Sequence, residues 1–378
     1  MNILVNASNL NGGGGAQVAD SICVNLKKFT MHHFVVVLSK SLLSTARRIE
    51  KYENVTLVEY TYPSHDWKSL LTGRNKFLDI LVINYGINCV LTIFGPIKWK
   101  PKCPHLCGFA LSHIVMPESP FFLKMPFFKR LRSLIQIKYW EFIFRRSGNY
   151  FYTENPLITE RLSHKFNSAK IFTVTNFYNQ VFDLIDQQVY HELPYFNGWQ
   201  FLNVGSSSPH KNLSIAIDIA KILKSKFRTE ILKSSKPNFR FLFTIKETEF
   251  PIIPNELREH FYFIGKVDIS EVPSLYKQCD ILFQPTLLEC FTAVYPEAMR
   301  MKLPIITTNL EFARGLCGRA ALYYDAMDPL DAASKFVDLI TNVKLQKELI
   351  REGECELKKF DNYDKRLEKI INICEQIS

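Results

Sequence analysis

Short apolar runs alternate along this chain with longer segments whose apolar residues recur every three or four positions, and the alternation begins at the amino terminus. Residues 2–6 read as a strand, 12–15 as a glycine loop, 16–28 as a helix and 34–38 as a buried strand. That succession is βαβ patterning, which points to a parallel sheet. Further strands are expected at 55–60, 89–94 and 150–153, with the last helix and loop material of this half ending near Ile185.

Residues 186–199 are polar, contain Pro194 and Gly198 and show no sustained period, so they read as a linker. Beyond them the alternation resumes, with strands at 201–204, 239–245, 261–264, 281–284 and 304–307 and helices at 213–224, 272–277 and 296–301. The pattern predicts two Rossmann-like α/β domains, residues 1–185 and 199–358. In the remaining segment, 359–378, Leu367, Ile370, Ile371 and Cys374 form one apolar stripe on a charged helix, which suits a return to the first domain. Open α/β sheets bind ligands beyond the carboxyl ends of their strands, so the site is expected in a cleft between the two domains.

Composition narrows the class further. A chain of 378 residues exceeds what one hydrophobic core organises, and 47% hydrophobic with 22% charged residues is the make-up of a globular protein. Nine cysteines at irregular spacing are expected to be reduced thiols, and Cys103-Pro-His105-Leu-Cys107 lacks the paired knuckles of a zinc site, so no structural metal is expected. The first residues enter a strand without a basic leader, which predicts a cytoplasmic protein. The longest apolar stretch, residues 77–97, is broken by Asp79, Asn84, Gly86 and Asn88 and predicts no membrane span.

The charge of +10 favours an anionic partner, and its distribution is informative. Residues 121–146 carry Lys124, Lys129, Arg130, Arg132, Lys138, Arg145 and Arg146 against the single acid Glu141, interleaved with Phe121, Phe122, Phe127, Phe128, Tyr139, Trp140, Phe142 and Phe144. This mixture suits peripheral contact with an anionic membrane surface, here the inner face of the cytoplasmic membrane. The same residues also suit packing on the first domain with the cations reaching outward.

The chemistry concentrates in Glu289-Cys-Phe-Thr-Ala-Val-Tyr-Pro-Glu297, where two carboxylates eight positions apart follow a strand and open a helix. A carboxylate accepts two hydrogen bonds side by side, which matches the vicinal hydroxyls of a ribose or hexose and not a phosphate. The longer run from Gln284 to Met299, followed by Leu303-Pro-Ile-Ile-Thr-Thr308, Phe312-Ala-Arg-Gly315 and Gly318-Arg-Ala-Ala-Leu-Tyr-Tyr-Asp325, resembles the donor-site signature of glycosyltransferase family four, in particular bacterial O-antigen and capsule enzymes.

The resemblance implies a GT-B fold, two Rossmann-like domains facing across a cleft, and retaining, metal-independent transfer of a glycosyl group, most simply a hexose. The donor is then a nucleotide diphosphate sugar and the acceptor a hydroxyl of a growing, lipid-linked bacterial surface glycan, as in lipopolysaccharide assembly. In that family the second glutamate holds the nucleotide ribose and the first lies beside the donor sugar, so Glu297 and Glu289 take those parts, with Cys290, Phe291 and Thr292 lining the donor.

Lys211, in Val204-Gly205-Ser206-Ser-Ser-Pro-His210-Lys211, stands between a strand end and a helix start, where an ammonium and free amides meet phosphate. The family places a phosphate-binding lysine here and often an arginine after the glycine. This chain has Ser206 at that place, with His210 and Lys246 as candidate substitutes.

The glycines Gly13, Gly14 and Gly15 allow close backbone approach, without completing a dinucleotide fingerprint. The resemblance places that loop beside donor phosphate and acceptor. His113, at the end of an expected strand, matches a histidine that reaches the reacting sugar, with His105 as its rival. Two alternatives stay open: a nucleotide-sugar 2-epimerase of similar fold, and a non-catalytic basic protein at a membrane or nucleic acid. No nucleic-acid motif accompanies the charge, so no nucleic-acid partner is expected, and no cofactor beyond the nucleotide-sugar co-substrate.

Overall fold

The computed structural model describes residues 1–60 and 72–378. The chain divides into two compact units, one made of Met1–Pro117, Pro126–Asn176 and Asp361–Ser378, the other of Glu118–Met125 and Phe177–Phe360.

The first unit is built on seven parallel strands: β1 (Asn2–Ala7), β2 (His33–Leu38), β3 (Val55–Glu59), β4 (Cys89–Thr92), β5 (His105–Gly108), β6 (Tyr150–Thr153) and β7 (Lys170–Thr173). Their order in the sheet is β3-β2-β1-β4-β5-β6-β7. Between Asn2 and Asn6, strand β1 is apolar because both faces are covered: Ile3 and Val5 enter the core shared with helix Gly13–Asn25, while Leu4 packs with Leu78 and Leu81 of helix Lys76–Asn84.

The carboxyl-terminal helix, Tyr363–Ile377, belongs to this unit and buries Leu367, Ile370, Ile371 and Cys374 in the core that holds Ile3 and Val5. Asn362 caps it by accepting the Lys365 amide at 2.9 Å. The buried guanidinium of Arg366 bonds Ser21 Oγ at 2.8 Å and the Asn176 side chain, and Asp361 accepts from the Thr175 amide and hydroxyl. Polar anchors at the helix start therefore fix the register of the apolar stripe.

The second unit holds six parallel strands: β8 (Trp199–Asn203), β9 (Phe239–Phe243), β10 (Phe261–Phe263), β11 (Ile281–Gln284), β12 (Ile305–Thr308) and β13 (Ala321–Tyr324), in the order β10-β9-β8-β11-β12-β13. Its core is aromatic. Phe336, from helix Pro329–Thr341, lies 4.3 Å from Phe201, 5.6 Å from Phe241 and 5.2 Å from Phe283, so one helical ring closes over three strands.

Several local expectations change. The polar stretch 186–199 is no linker, since the chain passes between units at Asn176 and Phe177. That stretch is tied to the second unit through Val189 N to Ser270 O, His191 N to Ser274 Oγ and Leu193 N to Gln278 Oε1, because backbone outside a regular element still needs partners and finds them in neighbouring carbonyls and side chains. Gly13, Gly14 and Gly15 are not a loop but the first turn of helix Gly13–Asn25. Gly12, at φ 134°, and Gly13, at φ 66°, make the turn from β1 that a side chain would resist.

Residues 121–146 also divide. Phe121 and Phe122 are buried in the second unit, whereas Phe127 onward forms the 21-residue helix Phe127–Ser147 of the first. Its opening half exposes Phe127, Phe128, Leu131, Leu134 and Ile135, while Ile143 and Phe144 farther on enter the core. Among the described residues no helix is long and apolar enough to cross a membrane.

Candidate functional site

The loops that follow β8 and β11, neighbours in the second sheet, carry the two groups of opposite charge. After β8 the chain runs through Gly205, whose amide donates to Thr244 Oγ1 at 3.0 Å, into a 3-10 turn at Pro209–Lys211. Asn212 follows at φ 55°, a left-handed conformation that asparagine tolerates, and the helix proper begins only at Ile215.

Lys211 is thus not at the helix start that the sequence suggests. The amides of Lys211 and Asn212 already donate to Ser208 and Pro209 carbonyls, so the lysine's contribution is its side chain.

That side chain pairs with Glu289: the ammonium contacts Oε1, and the two side chains keep only 15% and 12% of their exposure. The Thr286 hydroxyl lies 3.0 Å from the same carboxylate oxygen and 3.3 Å from the His210 carbonyl. Leu287 N donates to the same His210 carbonyl at 2.8 Å, so the loop after β11 is fastened to the loop after β8 at the residue next to Lys211. Thr286 is a site member that sequence reasoning missed. Only its place two residues past β11 could have signalled it.

Glu297 lies in helix Val294–Arg300, which starts two residues earlier than expected, so the Glu297 amide donates to Ala293 O instead of standing free. The carboxyl is 4% exposed, and burial pushes its pKa up to about 7, partly offset by the hydroxyl of Tyr276, which donates to Oε2 at 3.0 Å. Tyr276, from helix Val272–Gln278, had no local motif to reveal it.

Around these groups, Cys290 and Thr292 are buried, and Phe291 packs edge-on against Phe360 with centroids 5.9 Å apart. Gly205 and Ser206 are exposed, and the Ser206 hydroxyl engages Ser208 at 2.9 Å. Lys246 is exposed, its amide held by Glu249 Oε2 at 2.9 Å, and that same carboxylate accepts from Ser207 at 3.3 Å. The ring of His210 faces Phe121 edge-on at 6.1 Å.

The first unit holds the other sequence-derived candidates. Gly13, Gly14 and Gly15 open helix Gly13–Asn25 with no side-chain cap, and nothing lies within 4 Å of where a Cβ would stand at Gly13 or Gly14. The exposed helix amides and bare surface suit an anion. His113 does not end a strand. It lies half-buried in the short helix Ser112–Val115 after β5.

Its rival His105 is a core residue in β5, with Nδ1 2.9 Å from the Ser147 carbonyl and Nε2 2.9 Å from Thr92 Oγ1, and burial lowers its pKa to about 4. It is neutral, and both ring nitrogens are engaged within the sheet's core. Among the described residues no three His, Cys, Asp or Glu side chains gather to hold a metal ion.

Known proteins agree with this architecture. The crystal structure of a glycosyltransferase from Rickettsia africae superposes with a TM-score of 0.69 at 16% identity, covering 100% of this chain and 98% of that one. Two Rossmann-like parallel-sheet domains of this kind match GT-B glycosyltransferase structures.

In sequence, the chain is 27% identical over 224 residues to an uncharacterized glycosyltransferase of Methanocaldococcus jannaschii, covering 56% of this chain and 61% of that protein. It is 23% identical over 201 residues to an O-antigen chain mannosyltransferase of Salmonella typhimurium, covering 52% and 53%. The matched region spans little more than half the length of each of these curated relatives. Residues 192–355, which contain Lys211, Glu289 and Glu297, match the model of the family of glycosyl transferases group 1.

Proposed function

We propose that this chain is a retaining, metal-independent glycosyltransferase that moves a hexose from a nucleotide diphosphate sugar to a hydroxyl of a growing, lipid-linked bacterial surface glycan. The observation that carries the reading is the Lys211–Glu289 pair on adjoining loops of the domain that matches the group 1 glycosyl transferases, with the buried carboxyl of Glu297 on the following helix.

In this reading Glu297 accepts hydrogen bonds from the ribose hydroxyls and Glu289 contacts the donor sugar. As the glycosidic bond breaks, negative charge grows on the departing diphosphate. The ammonium of Lys211 stabilises that charge more in the transition state than in the ground state, which is what accelerates the step. Gly13, Gly14 and Gly15 offer backbone amides to donor phosphate or acceptor, and His113 approaches the reacting sugar.

The lipid-linked acceptor fits the exposed opening of helix Phe127–Ser147. Phe127, Phe128, Leu131, Leu134, Ile135 and Phe142 share one stripe at helical spacing, bordered by Arg130 and Arg132, with Lys138 within it. A stripe of this kind lies flat in an anionic lipid interface.

The test is incubation with a panel of uridine, guanosine and thymidine diphosphate sugars, with and without glycolipid acceptor. Transfer with the donor's anomeric configuration retained is the expected result. An epimerised donor formed in the absence of acceptor would overturn the proposal in favour of a 2-epimerase.

A further inference from the structure

Residues Glu118–Met125 belong by contact to the second unit although the chain on either side belongs to the first. This insertion touches both loops that carry the candidate site. Ser119 starts its short helix, Pro120–Leu123, by accepting the Phe121 amide at 3.2 Å, and the same hydroxyl donates to the Leu287 carbonyl at 2.6 Å.

Phe121 and Phe122 are buried, and Phe121 meets the ring of His210. Lys124 Nζ donates to Asn212 Oδ1 at 2.5 Å. The three points of attachment are therefore the residues immediately before and after Lys211 and the residue two places before Glu289. None touches the ion pair itself.

We infer that this insertion is a strap that positions the phosphate-binding lysine, with Lys124, Ser119 and Asn212 acting as positioning residues through the two loops. The inference rests on the reading of Lys211 as a ligand of the diphosphate. Asn212 is the informative element. Its left-handed backbone would be satisfied by glycine, so the asparagine contributes an amide oxygen that the strap's lysine uses. A lysine held in one geometry by a neutral acceptor stiffens the turn that presents Lys211, and preorganisation of this kind favours the bound state by lowering the ordering cost.

The experiment compares Lys124→Ala, Lys124→Arg, Asn212→Gly and the double variant Lys124→Ala/Asn212→Gly, measuring affinity for uridine, guanosine and thymidine diphosphates and for the matching monophosphates. For the diphosphate that binds, each single loss should weaken affinity about fivefold to tenfold. The double variant should be no weaker than either single one, since both remove one contact, and Lys124→Arg should restore most of the affinity. The monophosphate, lacking the terminal phosphate, should lose much less.

Equal loss for both nucleotides, or additive losses in the double variant, would overturn the positioning role. Asn212→Gly keeps the test decisive if Lys124→Ala fails to fold. A parent protein that binds none of the diphosphates would instead overturn the nucleotide-sugar reading and the inference with it.

Discussion

The ammonium of Lys211 is bonded to the carboxylate of Glu289 across the loops that leave β8 and β11, and both side chains are largely withdrawn from water. An ion pair in such a place is costly to break from one side only, because the remaining charge is left without its partner. Under the proposed function the arriving diphosphate offers Lys211 a second anion. Lys211→Ala should then lower kcat by roughly 100-fold to 1,000-fold, the range seen when a donor to developing negative charge is removed. Steady-state kinetics on the donor found by screening checks this, and an unchanged kcat would remove Lys211 from the chemistry.

Much of this arrangement was legible in the chain. The two parallel-sheet domains followed from apolar runs such as Phe34-Val-Val-Val-Leu38 and Ile281-Leu-Phe-Gln284, which are buried on both faces and need no amphipathic clue. Strands β5 and β7 were not legible, since His105, Gly108 and Lys170 dilute their strand character and only their neighbours make them strands. Glu289, Glu297 and Lys211 stood out because they sit in a local run. Their supports, Thr286, Tyr276, Asn212 and Lys124, come from distant segments or from positions that look like ordinary loop polarity, and no periodicity reports a tertiary contact.

Glu297 should make nucleotide binding depend on pH. Burial raises its pKa to about 7, and only the ionised carboxylate accepts from two ribose hydroxyls without donating. Diphosphate affinity should therefore fall as pH drops through 7, by about tenfold at pH 6 for a single proton held against binding. The same shift bears on stability with a definite sign. Between the ordinary carboxylate value of 4.5 and about 7 the folded protein keeps a proton that the unfolded chain releases, so this group's contribution to stability falls as pH rises across that window. Glu297→Gln should remove Glu297's share of both dependences and leave only that of the ligand's terminal phosphate, as read by calorimetric titration and by thermal unfolding against the parent protein at pH 5 to 8.

The exposed stripe on helix Phe127–Ser147 lets the proposed surface binding be tested apart from folding. Phe127 is 74% exposed and Phe128 83%, so replacing both, together with Ile135, by serine removes little that the folded domain uses. Co-sedimentation with vesicles containing phosphatidylglycerol should fall at least tenfold for the triple variant, while thermal stability stays within about 0.5 kcal/mol, the usual range for surface changes. The parent's binding should also weaken as salt rises from 50 to 500 mM, since the bordering Arg130 and Arg132, with Lys138 within the stripe, act through a screened field. Equal sedimentation of parent and triple variant would assign the stripe to another partner.

Two histidines near in sequence should respond in opposite ways. His105 fills a place in the sheet where Thr92 and the Ser147 carbonyl depend on its ring, so His105→Ala leaves both without that partner and should cost about 1–3 kcal/mol, with a fall in the unfolding midpoint of several degrees. Because burial lowers its pKa to about 4 from the ordinary 6.5, the unfolded chain binds a proton that the folded one refuses between those values. Stability linked to His105 is therefore lost as pH falls from 6.5 towards 4, and the variant should lack that slope. This runs against the slope assigned to Glu297 in an overlapping window, so each must be read as the difference between its own variant and the parent. Under the proposed function, His113→Ala should lower kcat on the nucleotide sugar about tenfold or more, a loss that His105→Ala, measured well below its unfolding midpoint, should not show. A His113 variant with full kcat would remove His113 from the chemistry.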